Sequence, residues 1–174
     1  MTQTKTNPIE TRFQRDGIHT ISLFVANKPG VLLRICLVFS RRGYNIESLV
    51  VSPAFDGDFS RMTITAQGDH STLEQIIKQC SKLIDVVHAS EHDASDSVER
   101  EFALVKVTLS KKDRVEILQL IQHFQAETLE MGDNNLIFQI DGSTDHLNKC
   151  ISMFKPFGII EMVRSGKMVI PCEK

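Results

Sequence analysis

The sequence predicts an α+β fold: two β-α-β-β-α-β units in tandem, each a four-stranded antiparallel sheet with two helices on one face. Three observations carry that reading. Stretches of period two and of period 3.6 follow one another in the same order in both halves; a polar stretch without periodicity separates the halves; and each half has a tight-turn signal at its centre, Asp56-Gly57 in one and Asp133-Asn134-Asn135 in the other.

The first strand is Ile18 to Ala26, where His19, Ile21, Leu23 and Val25 alternate with Thr20, Ser22 and Phe24. After Pro29-Gly30 the apolar residues Val31, Ile35, Val38 and Phe39 recur at helical spacing. Arg41-Arg42-Gly43 then supplies cations for the last turn and a glycine for the C′ position, so the first helix is expected over about Gly30 to Arg42. Tyr44 to Phe55 and Phe59 to Gln67 read as a hairpin around Asp56-Gly57, with Met62, Ile64 and Ala66 inward and Arg61, Thr63, Thr65 and Gln67 outward. Ser71-Thr72-Leu73-Glu74 reads as a capping box, Leu73, Ile76, Ile77, Cys80 and Leu83 as the stripe of the second helix, and Ile84 to Ser90 as a fourth strand. That order is the split βαβ of ferredoxin-like folds.

Glu91 to Arg100, with Asp93, Ser95, Asp96 and Ser97, reads as the connection between the halves. The pattern then repeats: a strand over Glu101 to Leu109, a helix marked by Ile117, Leu118, Ile121 and Phe124, strands over Glu127 to Met131 and Leu136 to Ile140, a helix marked by Leu147, Cys150, Ile151 and Phe154, and a last strand over Phe157 to Val163. The second hairpin is shorter, so the repeat is too irregular for a solenoid. The expected organisation is a flexible lead over 1–17, a first domain over 18–92, a linker over 93–100 and a second ferredoxin-like domain over 101–174. Each half holds a small core, and oligomerisation through sheet edges or faces is the expected remedy.

Composition excludes several function classes. A formal charge of −2 and a pI near 6.3, with no basic patch beyond Arg41-Arg42 and Lys111-Lys112, argue against nucleic-acid and membrane surfaces. One Tyr and no Trp leave little for base stacking on a sheet. Cys36, Cys80, Cys150 and Cys172 form no Cys-x-x-Cys pair, and the first three fall inside helical patterns, as small buried residues in a reducing compartment would. Met1 to Gly17 has no signal-peptide core and carries Glu10 and Asp16, and no stretch is apolar enough to span a membrane, so a cytoplasmic chain is expected. Nucleophile, base and orienting group do not assemble into an active site, no phosphate-binding or dinucleotide motif is present, and His88 and His92 read as a solvated edge rather than a metal site. No metal or cofactor is expected on this chain.

One turn does suggest chemistry. Between the first strand and helix stands Asn27-Lys28-Pro29-Gly30-Val31-Leu32. The first N–H groups of a helix have no internal partner and carry partial positive charge, so a carboxylate could rest on Gly30, Val31 and Leu32. Gly30 offers close approach to the backbone, Pro29 fixes φ at the helix start, and Asn27 has donor and acceptor atoms for a carboxylate or for an ammonium beside it. An amino acid presents both groups.

Within a β-α-β-β-α-β unit, this turn resembles the Asn-x-Pro-Gly-x-Leu signature of ACT domains, which are amino-acid sensing modules. The continuation Phe39-Ser40-Arg41-Arg42-Gly43-Tyr44-Asn45-Ile46-Glu47-Ser48-Leu49, then Ser60-Arg61-Met62-Thr63-Ile64, Lys82-Leu83-Ile84-Asp85-Val86, Val98-Glu99-Arg100-Glu101 and, near the end, Val163-Arg164-Ser165-Gly166, is similar to the regulatory (small) subunits of acetohydroxyacid synthase, also called acetolactate synthase. The resemblance implies a non-catalytic regulatory subunit, a homodimer through the ACT domain, and a separate catalytic subunit carrying thiamine diphosphate, Mg²⁺ and FAD. It also implies feedback by a branched-chain amino acid, valine foremost, held by Asn27, Pro29, Gly30, Val31 and Leu32 of one chain and Asn45 and Ile46 of its partner. The other open reading is a free-standing ACT-type sensor acting on a different enzyme. In the second half the equivalent turn is Ser110-Lys111-Lys112-Asp113, with neither Pro nor Gly, and no comparable site is expected there.

Overall fold

A computed structural model of the chain describes residues 17–92 and 95–172. All but Gly17 of the lead expected over 1–17 lies outside them, as do 93–94 of the expected linker and 173–174. The chain divides into two compact units, the first ending at Ser97 and the second starting at Val98.

In the first unit, β1 (Ile18–Ala26), β2 (Ile46–Pro53), β3 (Phe59–Gln67) and β4 (Val86–His92) form an antiparallel sheet in the order β2-β3-β1-β4. The helices α1 (Val31–Arg41) and α2 (His70–Cys80) follow β1 and β3. Alternation along β1 puts Ile21, Leu23 and Val25, none of them exposed, against Val31, Ile35 and Phe39 of α1, Leu73, Ile76 and Cys80 of α2, and Met62, Ile64 and Ala66 of β3. Thr63 and Thr65, expected outward, are buried as well, together with Thr20 and Ser22. Their short side chains sit on the two central strands, where longer neighbours shield them, and Thr65 shares a hydrogen bond with Ser48.

The second unit repeats the plan with β5 (Ser97–Thr108), α3 (Arg114–His123), β6 (Glu127–Met131), β7 (Asn135–Gly142), α4 (Thr144–Phe154) and β8 (Ile159–Arg164). The sheet order is β6-β7-β5-β8, and a further strand, β9 (Met168–Pro171), also pairs with β5. Ala103, Val105, Val107, Leu136, Phe138 and Ile140 of the sheet pack against Ile117 and Ile121 of α3 and Leu147, Cys150 and Phe154 of α4. The rings of Phe138 and Phe154 lie 4.5 Å apart at its centre.

Several sequence expectations need correction. The stripe of α3 runs through Ile117, Leu120, Ile121 and Phe124, while Leu118 is 38% exposed, because the i, i+3, i+4, i+7 face admits only one of the adjacent pair. The second helix is capped not by Ser71 but by Asp69, whose carboxylate accepts from Ser71 Oγ at 2.7 Å and from the Thr72 N–H at 2.9 Å. Those bonds, Ser71 first, hold the Asp69 carboxyl well below the usual carboxylate range. β4 starts at Val86, since Leu83 to Val86 closes a turn that leaves Ile84 fully exposed. β5 begins at Ser97, so the end of the stretch read as a linker is strand: Ser97 is buried and Glu99 is half-buried and paired with Lys167 at 2.8 Å, which places these polar residues in a ladder rather than at a break. The last helix runs on as a 3-10 turn, Lys155–Phe157, and Gly158 with φ +88° releases the chain into β8 only at Ile159. Cys80 and Cys150 are buried, as the helical pattern implies, but Cys36 is only half-buried.

A buried polar cluster closes one end of the second sheet. Arg164 of β8 pairs with Glu101 of β5, and also donates to Asn148 Oδ1 at 2.8 Å; Thr144 Oγ1, at the start of α4, donates to the other Glu101 oxygen. Replacing Arg164 with Met leaves a buried carboxylate without its cation, and is expected to cost about 3–5 kcal/mol in urea unfolding; a loss below ~1 kcal/mol contradicts a buried pair. Burial also pushes the Cys80 thiol up to about 11 and Cys150 to about 12, so neither is a thiolate near neutral pH. In a titration of the native chain with an aromatic disulfide reagent, exposed Cys172 is expected to react first and Cys80 and Cys150 only after denaturation. Prompt reaction of all four in the native chain contradicts this core.

Candidate functional site

The β1–α1 connection is built by a type II turn. Pro29 and Gly30 are its central residues, Gly30 has φ 83° and ψ −8°, and the Val31 N–H reaches back to the Lys28 carbonyl at 3.4 Å. Pro29 therefore lies before the helix and not at its first position, and Gly30 is the N-cap, without a side-chain cap. The left-handed φ is what demands glycine here; a Cβ would meet nothing nearer than Arg34 Nη1 at 3.6 Å, so the space above Gly30 is open.

Asn27 does more than precede the turn. Its N–H donates to the Asp58 carbonyl at 2.8 Å and its Nδ2 to the Gly57 carbonyl at 2.9 Å, which ties the turn to the tip of the β2–β3 hairpin. On the other side the Ala26 N–H donates to the Asp85 carbonyl at 2.8 Å, and Arg34 of α1 pairs with the Asp85 carboxylate at 2.5 Å. The turn is thus held from both flanks before anything binds. Val31 offers only its backbone, because its side chain is in the core, whereas Leu32 is exposed at the surface.

Asn45 and Ile46 are not brought to this turn within one chain. Ile46 pairs with Ala66, which pairs with His19 at the start of β1; Asn27 follows the end of β1. The separation along the strand is about 25 Å. Asn45 is exposed and donates to Glu47 Oε1 at 2.7 Å.

Sequence reasoning missed the residues that support Asn45. Tyr44, the chain's one tyrosine, donates its hydroxyl to the Asp69 carbonyl at 2.6 Å and lies against Gly68. Gly68 belongs to no motif, and only the fold shows the contact. His19 joins the same corner: its Nε2 faces the Gly68 carbonyl at 3.1 Å and its Nδ1 faces Glu91 at 2.7 Å, with His70 on the other Glu91 oxygen at 3.6 Å.

In the second unit the corresponding turn is closed upon itself. The Leu109 N–H donates to the Asn134 carbonyl, as Asn27 does to Asp58, but the Leu109 side chain is buried, and Ser110 and Asp113 satisfy one another through Oγ to Oδ2 at 2.5 Å and N–H to Oγ at 3.2 Å. Nothing there resembles the open Gly30 turn.

Comparison with known proteins covers both units of the chain. A family model described as an AHAS small subunit-like ACT domain matches residues 21–88, and one described as the small subunit of acetolactate synthase matches residues 100–173. A probable acetolactate synthase small subunit of Archaeoglobus fulgidus is 41% identical over 87% of this chain and 95% of its own length. The acetolactate synthase small subunit of Mycolicibacterium smegmatis is 40% identical over 85% and 87%. The crystal structure of the acetolactate synthase small subunit from Thermotoga maritima superposes with a TM-score of 0.81 at 33% identity, covering 91% of this chain and 99% of that one. With both halves matched, the chain belongs to the acetolactate synthase small-subunit family, non-catalytic regulatory subunits whose first unit is an ACT domain.

Proposed function

We propose that two copies of this chain pair through β2 and bind a branched-chain amino acid, valine foremost, at two equivalent sites. Each site takes Asn27, Pro29, Gly30, Val31 and Leu32 from one copy and Asn45 and Ile46 from the other. The observation that carries the reading is the separation of these two groups along a single sheet. β2 is an edge strand with Ile46, Leu49, Val50 and Val51 in it, an edge that calls for a partner. Antiparallel pairing of two such edges sets Ile46 of the second copy beside Pro53 of the first, and Pro53 shares Ser60 as a ladder neighbour with Val25, next to the Asn27 turn. Leu33 and Leu37 of α1, 64% and 42% exposed and one turn apart, add apolar surface for the same pairing.

Within the site the effector carboxylate rests on the N–H groups at the start of α1, where the helix dipole favours an anion and Gly30 leaves the backbone open. Asn27 meets the α-amino group through Oδ1, since Nδ2 is engaged with Gly57. The branched side chain packs against Leu32 and Ile46 of the two copies. Chemistry belongs to the catalytic subunit, which carries thiamine diphosphate, Mg²⁺ and FAD; this chain, in the cytoplasm, activates it. The effector acts by favouring an arrangement of the dimer that activates less. Coupling of this kind is typically ~1–3 kcal/mol, and the catalytic subunit must shift effector affinity by the same amount.

Adding the purified chain to its acetolactate synthase catalytic subunit is expected to raise acetolactate formation, and valine to lower it again; turnover by the chain alone contradicts the reading. Gly30→Asp places a carboxylate where the effector's must sit, and is expected to abolish valine inhibition with the complex still assembled on size exclusion. Unchanged inhibition removes the site from this turn. Asn27→Ala and Asn45→Ala are each expected to raise the valine concentration for half-inhibition about tenfold. Mixed dimers of the two variants regain one of two high-affinity sites, because one interface then carries both wild-type asparagines. A site contained in one chain predicts no such recovery in equilibrium dialysis.

A further inference from the structure

Gly68, between β3 and α2, is the tightest glycine in the described chain. A Cβ built there would lie 2.1 Å from Tyr44 Cζ and 2.2 Å from Tyr44 Cε1 and the hydroxyl oxygen, distances no real side chain tolerates. Its backbone needs no left-handed conformation, so glycine stands at 68 to admit the ring and not to make a turn. Tyr44 is fixed at its other end as well. The Tyr44 N–H donates to the Phe39 carbonyl and the Gly43 N–H to the Ser40 carbonyl, with Gly43 at φ 71°, which is a Schellman termination of α1. The phenol then donates to the Asp69 carbonyl at 2.6 Å, and its loss of solvent raises its pKa.

Asn45 follows at once and has no ladder partner, since the pairing of β2 with β3 starts at Ile46 and shifts register before Ser48. Its place in space is therefore set by Tyr44 on one side and by a single irregular ladder pair on the other. From the close approach of Tyr44 to Gly68 we infer that these two are positioning residues for the Asn45–Ile46 half of the effector site, an inference that rests on the two-copy site proposed above. Neither needs to touch the effector. The ring seated on Gly68 holds the start of the edge strand at the height at which a second copy meets it, and Asp69, which caps α2, carries the same anchor to the second helix.

The test measures valine binding to the full-length dimer by equilibrium dialysis, with dimer mass and thermal melting followed for every variant. Tyr44→Phe keeps the ring on Gly68 and loses only the bond to Asp69, and is expected to weaken binding about threefold. Tyr44→Ala and Gly68→Ala are each expected to weaken it about tenfold or more. In a Tyr44→Ala background, Gly68→Ala adds no further loss, because the ring it displaces is gone. A purely structural role for Gly68 predicts instead a loss of dimer or of melting temperature that the missing ring does not relieve, and full additivity of the two losses overturns the inference. So does wild-type affinity in both Tyr44→Ala and Gly68→Ala while Gly30→Asp abolishes binding. If Gly30→Asp also binds valine normally, the effector site itself is misplaced, which is a separate failure.

Discussion

The register of β1 with its neighbours is the constraint on which the first unit depends. Ile18 pairs with Gln67 and Ala26 with Phe59, nine residues in unbroken antiparallel register, and β2 follows β3 in turn. A one-residue slip would carry Ile21, Leu23 and Val25 out of the core and Thr20 and Ser22 into it. The same register holds the Asn27–Leu32 turn at one end of the sheet and Asn45–Ile46 at the other. Any site that uses both groups then needs a second chain. A core of this size is also one that pairing along an edge strand would stabilise, so in the proposed dimer the edge that completes the site would be the edge that supports the fold.

The two units close the same end of the sheet with the acidic residue on opposite strands, Glu91 on β4 in one and Glu101 on β5 in the other. His19 stands two residues before Ile21, which pairs with Glu91; Glu101 stands two residues before Ala103, which pairs with Arg164. His70 and Thr144 are the first residues of the second helix in each unit, and each reaches the acidic member of its cluster. One end of the core is thus closed in both units by an acid that joins a neighbouring strand to the second helix: Glu91 of β4 between His19 and His70 in one, Glu101 of β5 between Arg164 and Thr144 in the other. The cluster in the second unit is deeper, with Glu101 and Arg164 side chains 6% and 11% exposed against 16% and 24% for His19 and Glu91. A guanidinium can give forked bonds to the carboxylate and to Asn148 at once, which suits it to the drier position.

Much of the fold was legible because the cores are simple. Period two in β1, β3 and β5 and period 3.6 in the helices name most of the buried apolar residues, and Gly43 and Gly57 stand where their φ values require glycine. What failed to read depended on partners distant in sequence. Ser71 looks like a cap because Glu74 follows three residues on, yet Asp69 wins the position since its carboxylate reaches both Ser71 and Thr72. β9 is four residues long and takes its place from β5, some sixty residues earlier, so no local pattern announces it. At the candidate site the turn was legible and its bracing was not: the bonds of Asn27 to Gly57 and Asp58 and of Arg34 to Asp85 join segments that only the sheet brings together.

That bracing bears on how a small ligand could speak to a large partner. Asn27 is bonded to the hairpin tip and Ala26 to the loop before β4, so the turn is the middle of a three-part rim that includes Phe55 and Ile84, both fully exposed. The bonds that fix the rim are backbone carbonyls receiving from Asn27 and Ala26, short and without slack, whereas a long side chain would absorb a displacement in its own rotamers. A shift imposed on the turn is therefore shared with the neighbouring loops. The second unit lacks this property for a local reason. Its turn is satisfied internally by Ser110 and Asp113, and the position of Asn27 is filled by Leu109, which faces the core and can report only on packing. The two turns thus differ in one side chain: Asn27 bonds outward to the hairpin tip, whereas Leu109 packs inward, and only the first turn is coupled to its neighbouring loops through a polar side chain.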